Sequence, residues 1–150
     1  MLTCDNGGSM TDAMHLAEEL TGRFRRDRRG LAAVAISDPS HLTCVGNDLR
    51  YEEVFARAGN ALGRPGDVLV VFTTSGTSHN VLRAVSAART NQLDVIALTG
   101  NTASPLISEA TITLVTEGGA WADRVQEVHT LVLHTLIEVV ERALGLDGDS

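Results

Sequence analysis

Short apolar runs alternate with amphipathic stretches along the whole chain, the pattern of a parallel sheet laced with helices. Residues 1–4 read as the stub of a first strand, 31–36 as the second, 68–72 as the third, 95–98 as the fourth and 111–115 as the fifth. The runs 31–36 and 68–72 are continuous and apolar, as strands buried on both faces are, and 68–72 is predicted to lie at the sheet centre. Helical spacing falls between them. Residues 11–26 carry Ala13, Leu16, Ala17 and Leu20 on one face, and helices follow at 51–62, 80–89 and, briefly, 105–109. In the last helix, 121–144, apolar residues recur at Val125, Val128, Leu131, Val132, Leu136 and Val139. Ser37-Asp38-Pro39-Ser40 is expected to end the second strand, with a short segment to Asp48 after it. Gly63-Arg64-Pro65-Gly66-Asp67 forms a turn. The basic run 25–29 closes the first helix as a solvated end, and the polar tail 145–150 is expected to fray. The fold class predicted is α/β: one three-layer, doubly wound domain over residues 1–150, built on a five-stranded parallel sheet.

In such folds ligands bind at the carboxyl ends of the strands. Three polar segments are predicted at that edge. Asn6-Gly7-Gly8-Ser9 leads into a helix and presents N–H groups and a positive dipole end, a ready anion site. Residues 73–78 hold five hydroxyl side chains and a glycine, and can surround a phosphate without Lys or Arg. A plain hydroxyl-capped helix start would need only Ser78. The loop is neither a P-loop nor a dinucleotide fingerprint, so ATP and NAD lose most of their weight. Asn47-Asp48 could bind sugar hydroxyls, or Asp48 could cap the helix expected after it.

His15 and Glu19, four residues apart, project from one helical face. Gln126 and His134, eight apart, do so on the last helix, while Glu127 is one position off that face and His129 about a right angle from His134. These four side chains could form an N/O site for Zn²⁺ or a similar ion, or a hydrogen-bonded polar cluster inside the helix layer. Arg23 and Arg124 could each hold an anion or simply serve as a helix end and a surface ion pair.

With 150 residues, 43% hydrophobic, the chain is long enough for one real core. A net charge of −7 argues against a nucleic-acid surface, and no apolar run is long enough to span a bilayer. The N-terminus lacks a basic region followed by an apolar stretch, so a cytoplasmic location is expected. Cys4 and Cys44 lack CxxC spacing and are expected as buried thiols. All twelve basic residues are arginine, which excludes a Schiff base.

These residues resemble the sugar isomerase (SIS) domain and, within it, the phosphoheptose isomerases, also called sedoheptulose 7-phosphate isomerases. The resemblance is carried by Asn6-Gly7-Gly8-Ser9, Asp12-Ala13-Met14-His15 through Glu19-Leu20, residues 40–48, residues 63–69, Thr74-Ser75-Gly76 with Ser78-His79-Asn80-Val81, Leu98-Thr99-Gly100 and residues 122–129. It implies a flavodoxin-like SIS fold and an aldose–ketose isomerase acting on a seven-carbon sugar 7-phosphate with one divalent metal, usually zinc. The implied metal ligands are His15, Glu19, Gln126 and His134, with Glu19 as the base and His134 as the opposing acid/base. Implied substrate contacts are Asn6, Gly7, Gly8, Ser9, Glu19, Arg23, Asn47, Asp48, Thr73, Thr74, Ser75, Ser78, Asp123 and Gln126. A homotetramer with active sites between subunits is implied as well.

Several positions depart from the family pattern. Asp5 stands where glycine is usual, Thr73 replaces a serine, Thr77 an asparagine, and Leu49-Arg50 an aromatic-glycine pair. The family's N-terminal helical segment has no counterpart before the first strand, so apolar surface is expected to need another cover. The alternative from a different class is a non-catalytic SIS regulator that binds a sugar phosphate or a protein. An isomerase of another sugar phosphate is a third.

Overall fold

The computed structural model describes residues 1–147, so the last three residues of the tail lie outside the described part. Five parallel strands, β1 (Leu2–Cys4), β2 (Val34–Ala35), β3 (Val68–Thr73), β4 (Asp94–Thr99) and β5 (Ile112–Val115), form one sheet in the order β2-β1-β3-β4-β5. The expected architecture is present, with β3 at the centre. Alternation along β3 divides the core. Leu69 and Val71 face α2 (Pro39–Asp48), α3 (Val54–Leu62), α4 (His79–Thr90) and α5 (Leu106–Glu109), while Val70 and Phe72 face α1 (Gly7–Thr21) and α6 (Ala122–Ala143). No helix among the described residues is long and apolar enough to cross a membrane.

Several expectations need correction, among them that of a buried thiol at Cys44. The apolar run 31–36 supplies only a two-residue strand at the sheet edge, with Val34 45% exposed. A strand paired on one side cannot be told from a central one by an apolar run alone. Second, the Asp38-Pro39 pair starts a helix: Asp38 accepts the His41 N–H at 2.8 Å, and Pro39 takes the first helical position. This helix, α2, buries only Val45, so its periodicity is weak, and it places Asp48 at a helix end instead of an N-cap. Cys44 on α2 is exposed, whereas Cys4 is buried.

Third, α1 runs from Gly7 to Thr21, earlier at both ends than 11–26. The glycine-rich turn is therefore its first turn. Its far end is closed by Arg28, which is buried and not solvated. The Arg28 guanidinium donates to Glu141 Oε1 at 2.7 Å and to the carbonyls of Glu19, Leu20 and Gly22 at 2.7, 2.9 and 3.0 Å. Fourth, residues 145–147 are tied down. The Leu146 N–H reaches the Glu141 carbonyl at 2.8 Å and the Gly145 N–H reaches Arg142 at 3.1 Å, the two bonds of a Schellman ending.

Candidate active site

Two groups of side chains lie along one path, a polar rim at the carboxyl end of the sheet and a donor cluster further down the α1–α6 seam. At the rim, Asn6 extends from β1 without capping α1 through its side chain. Instead it exchanges hydrogen bonds with Asn80 at 2.9 and 2.7 Å, and its Oδ1 accepts the Tyr51 hydroxyl at 2.8 Å. The first-turn amides of α1 are thus left without a side-chain cap, next to the loop that follows β3.

That loop is braced from below. Ser104 Oγ donates to the Gly76 carbonyl at 2.7 Å, and Asn101 Nδ2 donates to the Ser75 carbonyl at 2.9 Å. Gly76 has φ +66°, and a Cβ there would lie 2.5 Å from Ser104 Oγ, so only glycine fits the turn. Ser78 does not cap α4 with its side chain. The hydroxyls of Thr74 and Ser78 make no bond to protein among the described residues, while Ser75 Oγ accepts the Thr77 N–H at 3.3 Å. Free hydroxyls beside uncapped amides suit an anion.

The third predicted segment does not join this rim by hydrogen bonds. Asn47 donates to Asp48 at 2.8 Å, and Asp48 also accepts from Cys44 at 3.6 Å, in the last turn of α2. A Cβ on Gly46 would lie 3.9 Å from the Tyr51 ring, so this segment approaches the rim through Tyr51. Arg23 is exposed just past α1 with no partner among the described residues, and Asp123 pairs with Arg124 at 2.9 Å on the surface.

Along the seam, α1 and α6 run parallel. Ser9 meets Gln126 at 3.3 Å, Asp12 meets Thr130 at 3.0 Å, and the His15 and His134 rings meet with centroids 5.1 Å apart. His15 Nε2 lies 3.3 Å from Glu19 Oε1, and one donor atom each from His15, Glu19 and His134 fall within 4.8 Å of one another. Two imidazoles and a carboxylate so placed are a possible metal-binding group, and the set suits Zn²⁺. The fourth expected ligand stands apart. Gln126 packs on Gly8, where a Cβ would come 2.6 Å from its amide nitrogen, and it precedes His134 by eight residues, about 12 Å along α6.

Phe24 stacks on His134 with centroids 5.8 Å apart, a contact that nothing in the sequence pattern signals. His129 is indeed outside the cluster: it is buried against Phe72, neither ring nitrogen has a partner among the described residues, and burial pushes its pKa down to about 4. Asp12 is raised by burial, opposed by the Thr130 hydroxyl and by His15. Asp5 is raised to about 7, mainly by burial. Tyr51 and Asn80, both bonded to Asn6, were likewise not legible as rim residues, since tertiary contact alone brings them there.

A doubly wound sheet with a hydroxyl-rich anion loop at its carboxyl edge defines the class, and residues 1–100 match the family model of the SIS domain. The chain is 49% identical over 148 residues to the phosphoheptose isomerase of Sodalis glossinidius, covering 99% of this chain and 76% of that one. It is 51% identical over 145 residues to that of Aeromonas hydrophila, covering 97% and 76%. The structure of phosphoheptose isomerase from Neisseria gonorrhoeae superposes with a TM-score of 0.86 at 41% identity, covering 94% of this chain and 75% of that one. The chain belongs to the phosphoheptose isomerases, a family of aldose–ketose isomerases.

Proposed function

We propose that the chain interconverts sedoheptulose 7-phosphate and D-glycero-D-manno-heptose 7-phosphate through an enediol. The observation that carries this is the convergence of His15, Glu19 and His134 on a seam whose upper end is the hydroxyl-rich rim. The rim amides and the hydroxyls of Thr74, Ser75 and Ser78 hold the phosphate, with Asn6, Gly7, Gly8 and Ser9 as the facing wall, while Thr73, expected as a direct contact, is buried and shapes the loop by accepting the Gly76 N–H at 3.2 Å. Arg23, Asn47, Asp48 and Asp123 contribute further substrate contacts.

Glu19 removes a proton from C1 of the ketose while His134 delivers one to the carbonyl oxygen at C2, which gives the enediol. Return of the carbon-bound proton to C2 and loss of the O1 proton then yield the aldose. His15, Glu19 and His134, with Gln126, would hold one Zn²⁺, whose chemistry when bound is stabilisation of negative charge on a sugar oxygen. Within one chain Gln126 stands two turns from the other three, which supports a homotetramer in which a second copy brings its own Gln126 to the cluster. Leu131 at 65% and Val139 at 56% exposure on α6 offer apolar surface for such packing. The setting proposed is cytoplasmic, with neither nucleic acid nor membrane as partner.

A non-catalytic SIS regulator has no use for the donor cluster. Incubation with sedoheptulose 7-phosphate, with and without chelator, followed by NMR, tests the proposal. Aldose forms in the untreated sample and not after chelation; absence of aldose in both would overturn it.

A further inference from the structure

Asp5 directly follows β1 and precedes the Asn6–Ser9 turn. It is 3% exposed; one carboxylate oxygen accepts the Asn6 N–H, while Oδ2 is buried without a hydrogen-bond partner among the described residues. The Thr73 side chain, at the end of β3 where the phosphate loop begins, lies close enough to this carboxylate to oppose the rise in its pKa. Asp5 and Thr73 therefore sit side by side at the carboxyl ends of the paired strands β1 and β3, beside the Asn6–Ser9 turn. The titratable groups that act on Asp5 electrostatically are the Cys4 thiol at the end of β1 and Asp12 on α1; neither is a cation.

We propose that Asp5 is a proton-linked specificity residue of the phosphate subsite: a sugar phosphate binds to the form with a neutral Asp5 carboxyl, and binding of the dianion draws a proton onto it. The inference rests on residues 73–78 and the first turn of α1 being the phosphate site. A buried carboxylate beside a phosphate sets two like charges in a poorly solvated place, which favours the neutral acid. The protonated carboxyl also turns Oδ2, an acceptor without a donor, into a hydrogen-bond donor. Burial already holds the Asp5 pKa at about 7 in the free protein, so the switch falls within the working range of pH.

The test is calorimetric titration of the full chain with sedoheptulose 7-phosphate and, separately, inorganic phosphate, between about pH 6.5 and 8.5, in two buffers of different ionisation heat. Asp5→Asn and Asp5→Gly are compared with the wild type, and Ser75→Ala serves as the phosphate-site control. The wild-type Kd rises by about tenfold per pH unit above 7 relative to either Asp5 variant, and the extra proton uptake of the wild type on binding climbs toward about one as pH rises from 7 to 8.5. The ionisation of the phosphate itself is common to all the proteins and cancels in the comparison. Equal pH profiles in wild type and both Asp5 variants would overturn the proposal while leaving the phosphate site intact. If neither ligand binds, or if Ser75→Ala binds as the wild type does, the phosphate site fails and the role of Asp5 with it.

Discussion

His15 and His134 meet edge to face across the α1–α6 seam, ring centroids 5.1 Å apart and planes at 83°, with Glu19 one helical turn below His15. This contact exists because the two helices run parallel, Ser9 against Gln126 and Asp12 against Thr130, so that each advance of three residues along α1 meets one of four along α6 and brings His15 to His134. A sheet layer that buries Leu16 and Leu20 of α1 with Leu133 and Ile137 of α6 fixes that register, and the donor cluster is carried on its edge.

If the cluster holds the ion, His15→Ala and His134→Ala each weaken Zn²⁺ binding by tenfold or more, on the order of the loss that follows removal of supporting groups at metal sites. Competition with a chromophoric chelator measures it. Glu19→Gln should abolish turnover while sugar phosphate still binds at the rim; undiminished turnover would remove Glu19 from the role of base.

Arg28 and Glu141 form an ion pair at 2.7 Å with side chains only 3% and 8% exposed. Arg28→Met leaves the Glu141 carboxylate buried and unpaired and frees three carbonyls at the end of α1, at a cost of about 3–5 kcal/mol. Arg28→Met with Glu141→Leu should recover most of that loss in urea unfolding, because the stranded charge is then gone. A double variant no more stable than Arg28→Met would show that the carbonyl bonds dominate.

The sheet was legible because β3 and β4 are continuous apolar runs and the helices between strands carry a clear 3.6-residue period. The second strand and α2 were not, for one reason: both lie at the edge, where burial is partial and periodicity fades. The Asp38-Pro39 cap was the signal available there. Helical spacing found His15, Glu19 and His134, since it reports which side chains share a face. It also grouped Gln126 with them by face, although eight residues of helix rise put Gln126 about 12 Å from His134 along α6. Asn80, Tyr51 and Phe24 join the site only through tertiary contacts between distant segments, which a one-dimensional pattern does not carry.

Gly76→Ala forces a side chain into φ +66° and against Ser104 and Thr99. The strain costs about 1–3 kcal/mol, and the loop shifts off the Ser104 hydrogen bond that braces it. The KM for sugar phosphate should then rise more than kcat falls, since the cluster on the α1–α6 seam is untouched. A fall in kcat alone would detach this loop from substrate binding.

The last prediction concerns stability against pH, where two buried groups act with opposite sign. His129 has a folded pKa of about 4 against an ordinary 6.5, so as pH falls below 6.5 the unfolded chain takes up a proton that the folded one refuses. Stability is lost over that window, by about 3 kcal/mol when pH reaches 4. Asp5 has a folded pKa of about 7 against an ordinary 3.8, so its contribution is full below 3.8 and is lost as pH rises to 7, by about 4 kcal/mol. Between pH 4 and 6.5 the folded protein keeps a proton on Asp5 and none on His129, while the unfolded chain does the reverse, and the two slopes cancel. Asp5→Asn removes one side of that balance, so its stability relative to wild type falls by roughly 1.4 kcal/mol for each pH unit lost between 6.5 and 4. His129→Leu should do the opposite, gaining on wild type as pH falls across the same window, and it also relieves two buried ring nitrogens without partners. Urea midpoints at several pH values give both difference curves. Parallel curves for either variant and the wild type would mean that the group concerned titrates in the folded protein as it does in the open chain.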